Sequence, residues 1–117
     1  MSKITVTGVW DMIEIYCALH SDCGEQMHIV QNPERFSAAF YVCPEQETAH
    51  CANRMNIDDF TGIVDKISEK IAEDPFINLT GYKFRFRGKR QSLNVEILKH
   101  SESKIKVAVK NTTVLGG

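Results

Sequence analysis

Four cysteines in two spaced pairs constrain this chain more than any other feature. Cys17 and Cys23 form a C-x5-C pair, Cys43 and Cys51 a C-x7-C pair, and nineteen residues separate the pairs. Between them lie two runs with β-branched or aromatic residues, Gln26–Val30 and Ser37–Val42, joined by the turn-forming Gln31-Asn32-Pro33-Glu34. Such a segment reads as a β-hairpin. A hairpin returns the chain on itself and brings its two flanking loops together. Four thiolates can then meet at the roughly 2.3 Å that a tetrahedral zinc ion requires. Two disulfides would need an oxidising compartment, which nothing in the sequence indicates. Four reduced cysteines packed as small apolar residues would be a third arrangement. Zinc held by Cys17, Cys23, Cys43 and Cys51 is the expected one.

Gly24 follows Cys23 and Pro44 follows Cys43. A small or kinked residue after a ligand lets backbone N–H groups turn toward the sulfur and offset thiolate charge. On Tyr16-Cys17, Cys23-Gly24, the hairpin, and Phe40-Tyr41-Val42-Cys43-Pro44 closing at Cys51, the chain resembles the zinc-ribbon group over roughly residues 15–54. The resemblance implies a structural metal. It does not imply one biological role, since ribbons serve nucleic-acid machinery and protein adaptors alike. The loops are longer than those typical of ribbons. His20, within the first pair, and His50, beside Cys51, therefore stand as alternative ligands for one cysteine each.

The remainder carries two clear periodicities. In Asp58–Glu73, Phe60, Ile63, Val64, Ile67 and Ile71 share one face at helical spacing, and Pro75 blocks continuation. Asn56 or Asp58 would cap this helix, and Asp58 and Asp59 suit its N-terminal dipole. Three runs then alternate with period two: Tyr82, Phe84 and Phe86; Leu93, Val95 and Ile97; Ile105, Val107 and Val109. Each implies one buried and one solvated face, so a helix packed on a three-stranded antiparallel meander is expected. The predicted fold class is α+β. A zinc-ribbon-like region over residues 1–56 would pack against a helix-plus-sheet region over 57–117 as one compact unit. At 117 residues and 13.3 kDa the chain can bury about two-thirds of its extended surface, enough for a real core.

The formal net charge of −1 conceals a polarity along the chain. Residues 1–82 carry a net −8 and residues 83–117 a net +7. If the aromatic residues of the first meander strand face the core, Lys83, Arg85 and Arg87 form a row about 7 Å apart on the open face. Lys104, Lys106 and Lys110 would share it, with Lys89 and Arg90 at the turn. Such a row suits backbone phosphates, and nucleic acid is the expected partner. In the opposite register Tyr82, Phe84 and Phe86 would form a stacking platform for single-stranded bases. Lysines on open strands also simply solubilise a sheet and block edge pairing. Glu96 and Leu98 interrupt the basic face, and with the acidic first part they favour a protein-adaptor alternative. A third alternative is a ubiquitin-like protein or sulfur carrier using the terminal Gly116-Gly117.

Catalytic signatures are missing. The sequence holds no C-x-x-C, P-loop, G-x-S-x-G or H-E-x-x-H pattern, and His28 and His100 are not tied to a cysteine by spacing. The expectation is a binding protein and not an enzyme. No apolar run approaches the roughly 18 residues of a membrane span, and the first residues lack a secretion signal. A soluble cytoplasmic protein without membrane contact is therefore expected.

Overall fold

A computed structural model describes residues 11–20, 24–31, 39–45, 51, 53–88 and 91–112. The elements run β1 (Ile13–Cys17), β2 (His28–Gln31), β3 (Ala39–Val42), β4 (Arg54–Asn56), α1 (Ile57–Glu73), β5 (Lys83–Arg87), β6 (Ser92–His100) and β7 (Ile105–Asn111). They form two sheets, a four-stranded one in the order β1-β7-β6-β5 and a three-stranded one in the order β2-β3-β4. The α+β class expected from the sequence is therefore the observed one.

The meander is antiparallel through β5, β6 and β7, with Phe84 opposite Val95 and Val95 opposite Val109. Its inner face carries Leu93, Val95, Ile97, Ile105, Val107 and Val109, all buried. Phe84 and Phe86 pack against the same core, and Lys83, Arg85 and Arg87 stay exposed on the other side. Of the two registers open to the sequence, the one with aromatics inward is adopted. Burial decides it, since two phenylalanine rings gain several kcal/mol by leaving water while guanidinium groups would lose it. A bulge between Ile97 and Lys99 leaves Leu98 unpaired and exposed, which explains an apolar residue among the basic ones.

One pairing goes beyond the meander. β1, from the amino-terminal part of the chain, lies parallel to β7, with Ile15 opposite Val107 and Cys17 opposite Val109. Ile15 and Cys17 thus join the inner face of the larger sheet. The outer edge of β1 is covered in turn, because the Met27 N–H donates to the Ile15 carbonyl at 2.9 Å.

The helix begins at Ile57, with Asn56 as the cap, its side chain accepting the Asp58 N–H at 2.9 Å. Its apolar stripe of Phe60, Ile63, Val64, Ile67 and Ile71 is buried in one core with the inner face of the larger sheet. Met55 of β4 and Tyr41 of β3 join that core, and the Tyr41 and Phe60 rings lie 4.8 Å apart. The smaller sheet is thereby attached to the same hydrophobic centre. In the second turn of the helix, Gly62 lies so close to the Phe86 ring that a β-carbon there would collide with it. β2 and β3 form the expected antiparallel hairpin, His28 facing Val42 and Gln31 facing Ala39. The turn at residues 32–34 lies outside the described residues.

Candidate metal centre

Three segments converge where the two sheets meet. Cys17 ends β1, and His20 follows one tight turn later, its N–H donating to the Cys17 carbonyl at 3.1 Å. Cys43 directly follows β3, and Cys51 precedes β4. The potential ligand atoms of Cys17, His20, Cys43 and Cys51 all lie within 4.8 Å of one another. All three cysteines are buried and free of disulfides. His20 is half-buried.

The spacing of the donors can be tested against an ion. A regular tetrahedron with bonds of about 2.3 Å has edges of about 3.8 Å, slightly less where one ligand is nitrogen. Cys17 Sγ lies 3.9 Å from Cys51 Sγ and 3.9 Å from His20 Nδ1, and Cys43 Sγ lies 3.3 Å from the same nitrogen. These three separations are close to the edges of such a tetrahedron, and the remaining ones stay within 4.8 Å. They are far from the roughly 2.05 Å of a disulfide. The residues therefore fit a divalent, sulfur-preferring ion such as zinc.

Backbone and side-chain donors surround the sulfurs. Glu45 N–H donates to Cys43 Sγ at 3.3 Å, as expected of a loop kinked by the intervening proline. Asn53, itself buried, donates from Nδ2 to Cys17 Sγ at 3.1 Å and to the Val109 carbonyl at 2.9 Å. Its Oδ1 accepts the Asn111 N–H at 2.8 Å, and Asn111 Nδ2 donates to the Arg54 carbonyl at 3.1 Å. One amide thus ties a sulfur to β7 of the larger sheet and, through Asn111, to β4 of the smaller one.

These partners set the charge states. Burial pushes the Cys17 thiol up, but hydrogen bonds from Asn53, His20 and the Leu19 backbone outweigh it and bring the pKa down from 9.0 to about 7. Cys43 goes the other way, to about 12, because burial dominates and the neighbouring Cys17 and Cys51 add to it despite the Glu45 N–H. One thiolate is tolerated here; several at this spacing need a cation among them.

The described residues bring His20 together with Cys17, Cys43 and Cys51, three of the four predicted cysteines. Cys23 and His50 lie outside the described residues. Asn53 was not anticipated at all. No sequence signal marks it, because its role exists only once β1 and β7 are paired.

The basic residues fall on the opposite side of the larger sheet. Lys83, Arg85 and Arg87 are exposed, while Lys106 and Lys110 on β7 are half-buried. Arg85 Nε donates to Asn94 Oδ1 at 3.4 Å. Lys104 pairs with Glu14 at 3.2 Å, and Lys106 sits 5.8 Å above the Tyr16 ring. The Tyr16 hydroxyl, donating to Glu14 at 2.8 Å, holds that carboxyl below its ordinary range, with Lys104 assisting. Lys89, Arg90 and the Gly116-Gly117 tail lie outside the described residues. No described helix is long and apolar enough to cross a membrane.

Compared with known proteins, the chain matches no family model, no curated protein sequence and no solved structure.

Proposed function

We propose that this chain is a zinc protein whose ion is structural, bound by Cys17, His20, Cys43 and Cys51, and whose basic sheet face binds nucleic-acid phosphates. The observation that carries the metal is the mutual spacing of four soft donors within 4.8 Å, drawn from three separate segments. Zinc supplies here a fixed cross-link between loops and no chemistry on a substrate. Cys17 and His20 anchor the larger sheet, and Cys43 and Cys51 anchor the smaller one. The hairpin between the ligand loops supports the zinc-ribbon likeness of this part.

Nucleic acid is favoured over a protein partner by one feature. Lys83, Arg85 and Arg87 project from one face of β5, and among the described residues none of them is engaged by an acid. Cations so placed can exchange condensed counterions for phosphate contacts. Lys104, already paired with Glu14, contributes less. A protein-adaptor reading would draw instead on exposed Ile29 and Val30 of β2.

The two halves of the proposal are tested separately. Elemental analysis of protein purified without chelators should give about one zinc per chain, and cobalt substitution should give the thiolate charge-transfer bands of a tetrahedral site. Metal-free protein with unchanged folding would sink the first half. For the second half, Arg85→Gln with Arg87→Gln should weaken binding of short DNA and RNA at low salt. The variant should also reduce the log-affinity against log-salt slope by about 0.7–0.9 per lost contact. No binding by the zinc-loaded protein at low salt would leave the adaptor reading in its place.

A further inference from the structure

The open face of the larger sheet is not uniformly basic. At its middle lies a recess of about 400 Å³, lined among others by Ala18, Lys83, Asn94, Glu96, Ala108 and Lys110. Glu96 is directly opposite Lys83 on β5 and opposite Ala108 on β7. Among the described residues its carboxylate has neither an ion-pair nor a hydrogen-bond partner, although lysines stand on both neighbouring strands. A carboxylate serving only to balance charge would be expected to close on one of them.

We infer that this recess takes one unpaired nucleobase of a single strand, with guanine preferred, while the surrounding cations hold the flanking phosphates. The inference rests on the phosphate-binding reading of the same face and adds to it a base-reading site. An ionised carboxylate accepts hydrogen bonds only, and an ammonium group donates only. Side by side, Glu96 and Lys83 offer two coplanar acceptors next to a donor. The Watson–Crick edge of guanine presents the complement, with N1–H and N2–H₂ to donate and O6 to accept. Adenine and cytosine each place a single donor group beside an acceptor and can satisfy the carboxylate only once. Uracil has a single donor, N3–H, set between two carbonyl oxygens that the carboxylate repels. The methyl groups of Ala18 and Ala108 give the base an apolar surface to lie against. Bases are reached in this way when a single strand lets them splay out of the stack. Asn94, held by Arg85 Nε at its oxygen, keeps its amide N–H groups free to donate toward O6 or a sugar hydroxyl.

The test uses the zinc-loaded full chain and three short labelled RNAs, in which uridine alternates with guanosine, adenosine or cytidine. Fluorescence anisotropy at low salt should show the guanosine-containing RNA bound most tightly, by about 5- to 150-fold, the range of one bidentate base contact. Glu96→Gln keeps the side-chain size but removes a negative charge. It should abolish most of the guanosine preference while leaving affinity for the other two RNAs equal or slightly higher. Arg87→Gln, on the same strand but away from Asn94, should weaken all three alike. Equal binding of the three RNAs by the wild type overturns the guanine site and leaves phosphate binding standing. So does a Glu96→Gln variant that gains affinity for all three by the same factor. Failure to bind any RNA overturns the phosphate reading, and this inference with it.

Discussion

Single side chains in this molecule are held by their backbone neighbours as much as by each other, and His100 shows the consequence. Its Nδ1 accepts the Leu79 N–H at 3.0 Å, and its own backbone N–H donates to Thr80 Oγ1 at 3.0 Å. The ring therefore pins the loop that links α1 to β5. Burial lowers its pKa below the ordinary 6.5, because the neutral ring is favoured there. The unfolded chain takes up the proton more readily, so this contribution to stability is complete above 6.5 and falls away as pH drops toward the lower folded value. Protonation at Nδ1 also removes the acceptor for Leu79. Amide exchange by NMR should show Leu79 protection falling as pH is lowered through 6.5, and His100→Gln should flatten that dependence. Protection of Leu79 that is constant across this window would contradict the role assigned to the ring.

Among the elements, α1 and β5 meet where a glycine does what no other residue can. Alanine at position 62 would gain about 1 kcal/mol in helix propensity. Its β-carbon would also drive into the Phe86 ring, and overpacking of this kind costs roughly 1–3 kcal/mol. Gly62→Ala should therefore lower the melting temperature in spite of its better propensity. Gly62→Ala combined with Phe86→Leu should lose less than the two single changes add up to, a coupling that a double-mutant cycle measures. The same elements show what was legible beforehand. The helix was written in Phe60, Ile63, Val64, Ile67 and Ile71, and the meander in three alternating runs, because period and burial coincide there. Which way Phe84 and Phe86 turn was left open by the alternation alone, and the packing of their rings against the core decides it. The parallel union of β1 with β7 was not legible, since its partners are almost the whole chain apart and the pattern of β1 names no neighbour. The metal centre was legible as a cysteine cluster around a hairpin. The place of His20 depended on a turn that composition does not encode, and that of Asn53 on the β1–β7 pairing itself.

For the whole molecule, the ion would add a third link between two sheets that the core around Met55, Tyr41 and α1 and the Asn53–Asn111 hydrogen bonds already join. When no site exists in the unfolded chain, metal-binding free energy becomes folding free energy, on the order of 10–16 kcal/mol for small zinc modules. Chelation should accordingly lower the melting temperature and open residues 39–56 to proteolysis before the β5–β7 meander, as limited digestion with mass spectrometry would show. Simultaneous loss of both parts, or no loss at all, would contradict a local cross-link. The β1–β7 pairing also bears on the order in which the protein can be made. Ala18 N–H and Asn53 Nδ2 both donate to the carbonyl of Val109, at 2.9 Å each. During synthesis Cys17, Cys43 and Cys51 leave the ribosome well before Val109 exists to organise them. Until β7 emerges, the cysteine loops lack both the strand beneath Cys17 and the carbonyl that orients Asn53. For that interval the nascent chain presents reactive thiols without their frame, and an early zinc ion, or a chaperone that shields the thiols, would protect it from mispairing.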